Sequence, residues 1–265
     1  LCNVILACIE YYRLCKSSEV PQSGVPRSEG PQNEGPQSEG PHSEVLQYII
    51  MLSVELESRI DMSGNLLRLP FDDKLTSNTS CFNAINSLIK SYRLTGIKKF
   101  QAAASLLYDK LDLLWNCEHC LYSLDDDDKY RYTSRDVGSV LSGLNSIRLF
   151  GEQPYMKDAE EKLVNPSKLI HSTLSIPADD ALEWRYAQKR FDRGELSRDF
   201  FSYQEIPVSI EVNVAPVFAK KFTFKPKKRK YEINSSSFYS EYSLYAAGEM
   251  LQISYPDIDC FYTGE

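Results

Sequence analysis

The stretch Tyr132-Thr133-Ser134-Arg135-Asp136-Val137-Gly138 sets one carboxylate and one guanidinium among hydroxyls. Asp136 has the side chain of a general acid or base, and Arg135 and Tyr132 stand beside it as candidates for holding a substrate. The same residues spell a capping box, Thr133-x-x-Asp136, with an acid in the first helical turn, so a structural role competes with a chemical one.

Other groups are weighed the same way. Cys117-Glu118-His119-Cys120 offers ligands that zinc accepts, but a tetrahedral site needs a further donor and there is no second such pair, so no metal and no cofactor is assigned. Asp109 and Asp112 share one side of a helix, where charge between apolar positions usually marks a solvated face. Asp125 to Asp128 form an acidic turn without the spacing of a calcium loop. Lys225 to Lys230 is a basic cluster between strand-like runs, the place where lysines guard a turn or sheet edge. Trp184, in the polar run DDALEWRYAQKR, has the ring that stacks on the apolar face of a sugar.

The elements that must position these groups are mostly helices. Phe82, Ile85, Leu88, Ile89 and Tyr92 recur at helical spacing and stop at Gly96, with Thr79 or Ser80 as the expected cap. Phe100, Ala103, Ala104, Leu107, Leu111, Leu114 and Trp115 form a second stripe after a short turn, which makes a helical hairpin. The hairpin then repeats. Ser87, Ile89, Ser91, Arg93, Leu94, Gly96, Phe100 and Ala104 align with Ser142, Leu144, Ser146, Arg148, Leu149, Gly151, Tyr155 and Ala159, all offset by 55 residues. Repeats of this size stack so that their apolar faces bury each other.

Around the hairpins, residues 21–44 are a five-residue Gly-Pro-Gln-Ser-Glu repeat with nothing apolar to offset ordering, hence a disordered linker. Residues 1–20 read as a truncated helical segment and 45–265 as the hairpin domain. Within that domain, 45–60 is helix or buried strand, Tyr122, Tyr130 and Tyr132 suggest a small hairpin or ordered loop, 206–233 alternates like strands, and 237–252 is a further helix candidate.

The repeated hairpin, the tyrosine-rich link and the A-x-x-L-Y-x-x-L-D-x-L-W pattern at 104–115 resemble the six-hairpin glycosidase-like superfamily, over about residues 81–165. The resemblance implies a mainly α fold, helical hairpins of an incomplete (α/α) toroid, with a minor β element near 206–233. A full toroid needs about twelve helices, and only about three hairpins are visible in this sequence. In such toroids the loops entering the inner helices open onto the binding face. There Asp136 would act on a glycosidic bond, with a second carboxylate that the sequence does not identify and with Arg135, Tyr132 and Trp184 near the substrate. The alternatives are a noncatalytic scaffold or glycan- or peptide-binding module, and a truncated copy without activity, which predicts an exposed apolar flank.

Composition narrows the classes further. The chain has 265 residues, 42% hydrophobic and 25% charged, enough for one substantial core. A net charge of -7 opposes a general nucleic-acid surface. Seven cysteines, an odd number without regular spacing, point to reduced thiols. No apolar run approaches the roughly 20 residues of a membrane helix. Leu1 to Cys8 lacks the basic lead of a secretory signal, and its loose likeness to a lipoprotein cleavage box is followed by EYYRLC rather than a polar linker. The expectation is a soluble protein of undefined compartment and oligomeric state.

Overall fold

The computed structural model describes residues 1–18, 41–69, 74–119, 121–124, 130–174, 218–228, 230–237 and 248–249. The fold is mainly α, with six helices and two small antiparallel sheets among these residues. The helices are α1 (Cys2–Ser18), α2 (Pro41–Glu57), α3 (Asn78–Thr95), α4 (Lys98–Asp112), α5 (Ser134–Phe150) and α6 (Gln153–Leu174). They pack as three successive pairs. In one row α3 lies between α1 and α5, and each helix of that row also packs against the helix that follows it in the chain.

The first repeat forms the hairpin α3/α4 and the second forms α5/α6, as the 55-residue offset predicts. Phe82, Ile85, Leu88 and Ile89 of α3 are fully buried, as are Leu141, Leu144 and Ile147 of α5. Each buried leucine or isoleucine side chain contributes about 1.5–3 kcal/mol relative to exposure. Where the two helices meet, a Cβ on Gly143 would lie 2.9 Å from both the Phe82 ring and the Phe82 carbonyl oxygen, so only glycine lets the backbones come this near.

A polar seam runs through this row. Ser146 donates to Asn86 at 2.6 Å between α5 and α3, Ser53 donates to Ser91 at 2.8 Å between α2 and α3, and Ser87 donates to the Cys2 carbonyl oxygen of α1. The Ser146 and Ser53 bonds satisfy side chains whose burial would otherwise cost about 1–3 kcal/mol, whereas the Ser87 hydroxyl also reaches the Asn83 carbonyl oxygen of its own helix at 2.9 Å.

Several boundaries differ from the sequence reading. The α3 cap is Ser77, whose hydroxyl accepts from Ser80 N–H, rather than Thr79 or Ser80. The second stripe stops at Asp112, because Leu113 is largely exposed and Leu114 turns the chain. Trp115 therefore lies in strand β1 (Trp115–Asn116), paired antiparallel with β2 (Leu121–Tyr122). α2 is a helix, resolving the ambiguity at 45–60, and it starts at Pro41, where proline is tolerated in a first turn.

The tyrosine-rich link continues as β3 (Arg131–Thr133), which pairs with β4 (Phe218–Lys225). That strand pairs in turn with β5 (Lys230–Ser237), all antiparallel. Among the described residues the alternation near 206–233 is a hairpin from Phe218, and its second strand reaches Ser237, the position at which the sequence predicts a helix start. Of the 237–252 helix candidate, only Gly248 and Glu249 are described beyond Ser237, and they are helical. Residues 21–40 of the repeat at 21–44 and the strand-like residues 206–217 lie outside the described residues, whereas 41–44, expected to be linker, form the first turn of α2.

On the outer side of α1 and α2, a groove of about 420 Å³ is lined by Val4, Ala7, Cys8, Tyr11, Val45 and Tyr48. Among the described residues, Tyr11 and Tyr48, which line this groove, and Met51 of α2 are each more than half exposed. No helix among the described residues is long and apolar enough to cross a membrane.

Candidate functional site

Tyr132, Thr133, Arg135 and Asp136 sit where β3 runs directly into α5. Thr133 is the N-cap, with extended backbone at φ -103°, and its hydroxyl accepts from the Asp136 N–H. Asp136 Oδ2 in turn accepts from the Thr133 N–H at 2.7 Å and from the Thr133 hydroxyl at 2.8 Å. The capping box read from the sequence is therefore formed in full.

The other oxygen is engaged too. Asp136 Oδ1 accepts a 2.7 Å hydrogen bond from the Thr79 hydroxyl, in the first turn of α3. One carboxylate thus satisfies the start of its own helix and ties it to the start of the neighbouring one. Thr79 is missed by a reading that treats it only as a cap, and the signal that finds it is the repeat: Thr79 aligns with Ser134, at the same first turn.

Tyr132 is buried, and its hydroxyl donates to the carbonyl oxygen of Tyr122, which joins β3 to β2. Its phenol therefore holds the link between the hairpins. Arg135 is exposed beside Asp136. The three residues are neighbours in one short segment, but the Tyr132 side chain is buried against β2 while that of Arg135 is exposed, and Trp184 lies outside the described residues.

The remaining candidates have identifiable surroundings. The His119 ring packs edge-on against Tyr130 and Phe224 at 5.7 and 5.5 Å between centroids, and Cys117 is exposed. No group of three or more acidic, histidine or cysteine side chains suited to a metal occurs among the described residues. The lysines of the basic cluster form the β4–β5 turn, where Lys225 and Lys228 pair with Glu232 at 3.5 and 3.7 Å. Asn78, in an acceptor sequon, donates from its amide to the Leu124 carbonyl oxygen at 3.1 Å.

A second polar group, unexpected from the sequence, bridges α4 and α6. Lys162 is buried, and its ammonium pairs with Asp112 and, at 2.6 Å, with Asp158. Asp158 Oδ2 also accepts from the Tyr108 hydroxyl at 2.6 Å. The ammonium lies 5.2 Å from the Tyr108 ring centroid and 5.7 Å from that of Trp115, within cation–π range. Beside it, Tyr155 donates to Asp109 at 3.1 Å.

Burial pushes both tyrosines of this group up. Tyr108 is raised by desolvation, then by neighbouring Tyr122 and by its bond to Asp158. Tyr122 is raised well above the ordinary phenol range by desolvation, then by the charges of Asp112 and Asp158. Its hydroxyl lies beside that of Tyr108 without reaching hydrogen-bond geometry, and it has no other partner. A buried phenol that stays protonated and unbonded is unusual, because such groups are nearly always satisfied.

Comparison with known proteins adds little. No family model matches the chain, and no curated protein matches it. A solved polysaccharide lyase is similar over 94% of this chain and 73% of its own, with 12% identity and a TM-score of 0.44, a level that carries no argument about activity.

Proposed function

We propose that the chain is the helical-hairpin part of a carbohydrate-active protein of the (α/α) toroid type, meeting its oligosaccharide where the inner helices α3 and α5 begin. The Thr79–Asp136 hydrogen bond carries this reading, because it fixes two adjacent inner-helix starts and holds the exposed Arg135 beside them. The substrate class comes from the hairpin resemblance over residues 81–165, and Trp184 is the proposed stacking ring. With both carboxylate oxygens engaged by Thr79 and Thr133, Asp136 is better suited to shaping a binding surface than to moving a proton. A glycan-binding role is therefore preferred. Turnover requires one of those bonds to open, and Asp136 then becomes the acid or base at the glycosidic oxygen.

The test titrates oligosaccharides into the wild type, Arg135→Ala and Asp136→Asn by calorimetry, with product analysis and melting curves. Binding weakened in Arg135→Ala, together with a lowered melting temperature in Asp136→Asn, supports the binding module. Turnover by the wild type that is lost in Asp136→Asn without a change in melting temperature supports the enzyme. A wild type that binds no oligosaccharide removes the carbohydrate reading.

A further inference from the structure

We propose that the polar group between α4 and α6 is a second contact site for a neutral sugar, separate from the inner-helix entrance. The proposal takes its ligand class from the carbohydrate reading above, but its location from independent observations.

The first observation is the unpartnered hydroxyl of Tyr122, a residue only 2% exposed, set among Tyr108, Asp112 and Asp158. A neutral phenol in this position is a hydrogen-bond donor without an acceptor, and a ligand oxygen supplies one. The second is the state of the two carboxylates. Asp112 and Asp158 are 49% and 42% exposed, and each gives only one oxygen to Lys162. Asp112 Oδ2 and Asp158 Oδ1 take no hydrogen bond among the described residues, so both remain open to accept from hydroxyls. The third is the half-buried Trp115 ring, which meets Tyr122 edge-on at 4.8 Å between centroids and has the Lys162 ammonium 5.7 Å from its centroid.

Two open acceptors on half-exposed carboxylates beside a part-exposed aromatic ring match a pyranose, whose adjacent hydroxyls donate while its C–H groups pack on the ring. Lys162 already neutralises part of the carboxylate charge, so the site suits a neutral sugar better than a cation. The Tyr122 hydroxyl is covered in the free protein, so a ligand reaches it only when neighbouring side chains move.

The experiment reads Trp115 directly. The chain has two tryptophans, Trp115 and Trp184, so the full-length Trp184→Phe protein reports Trp115 emission alone. Titration with linear gluco-, manno- and xylo-oligosaccharides should give a saturable emission change. Adding Tyr122→Phe should weaken Kd about tenfold, the usual size for one lost hydrogen bond. The melting temperature should hold or rise, because the removed hydroxyl has no internal partner. Asp112→Asn should weaken Kd as well. Saturating calorimetric heats with the wild type but flat Trp115 emission in Trp184→Phe overturn this site and leave the entrance reading standing. A Trp115 titration unchanged by Tyr122→Phe overturns it too, and the absence of any heat with the wild type removes both.

Discussion

The two repeated hairpins share a sequence frame yet are held in different ways. In α3/α4, Gly96 ends the inner helix in the left-handed region, at φ 71°, with its N–H bonded to the Tyr92 carbonyl oxygen. In α5/α6 the aligned Gly151 is at φ -75°, with its N–H bonded to the Ile147 carbonyl oxygen. Arg93 lies 4.1 Å from the Phe150 ring centroid, whereas its partner Arg148 donates to Asn145. Phe100 is fully buried, whereas Tyr155 turns its hydroxyl toward Asp109. The repeat fixes where a helix starts and stops, and the individual side chains then divide into core and surface tasks.

The largest expected effect breaks the contact between the hairpins. Phe82→Ala removes a fully buried ring that packs against Gly143 and lies 5.0 Å from Tyr122, and should cost about 3–5 kcal/mol in denaturant unfolding. Gly143→Ala tests the same contact from the other side. Its methyl meets backbone as well as ring, so about 1–3 kcal/mol of overpacking is expected, with a lower melting temperature.

The two C-terminal glycines separate backbone conformation from crowding. Gly96→Ala should cost about 1–2 kcal/mol because of its left-handed backbone, and Gly96→Asn should recover part of that loss. Gly151 has an ordinary φ, but a Cβ there would lie 2.6 Å from the Ile147 carbonyl oxygen, so Asn should be no better than Ala. Equal behaviour of the two asparagine variants in thermal melts would remove the distinction. Asp136→Asn, which weakens a capping box present in α5 but not in α3, should cost about 1 kcal/mol.

The smallest effect concerns a position where the repeats diverge in charge. Lys90 of α3 aligns with Asn145 of α5, and Lys90 is close enough to Glu249 to influence its titration. Glu249 keeps some solvent contact, yet its surroundings push the carboxyl up to about 7, with burial outweighing the attraction of Lys90. Its folded value is above the ordinary one, so the protonated form is favoured by folding. Its contribution is fully present below about pH 4.5 and is lost as pH rises through about 7. Glu249→Gln should flatten that fall in urea midpoints measured from pH 4.5 to 8.

Much of this was legible in the residues. The stripes of Phe82 to Tyr92 and Phe100 to Leu111 locate two helices because a buried face must recur with the helical period, and Thr133-x-x-Asp136 locates a third start because orphan N–H groups need local acceptors. The limits are equally physical. Trp115 continues the apolar spacing of α4 but belongs to a strand, since periodicity does not register where a helix loses its supporting neighbour. The Lys162 group was invisible because Tyr108, Asp112, Asp158 and Lys162 meet only when α4 and α6 are brought together by packing. The Thr79–Asp136 bond was hidden for the same reason, though the aligned first turns hint at it.

The serine and asparagine bonds along the helix row set a registration. Apolar faces of leucine and isoleucine tolerate sliding by a turn at modest cost, because one methyl group serves nearly as well as another. A slide of α5 along α3 would separate Ser146 from Asn86, and a slide of α2 would separate Ser53 from Ser91, leaving hydroxyls and amides dry and unbonded in each case. The alternatives are penalised one bond at a time, so the stack assembles in one alignment and the helix starts that carry Thr79 and Asp136 arrive at the same height.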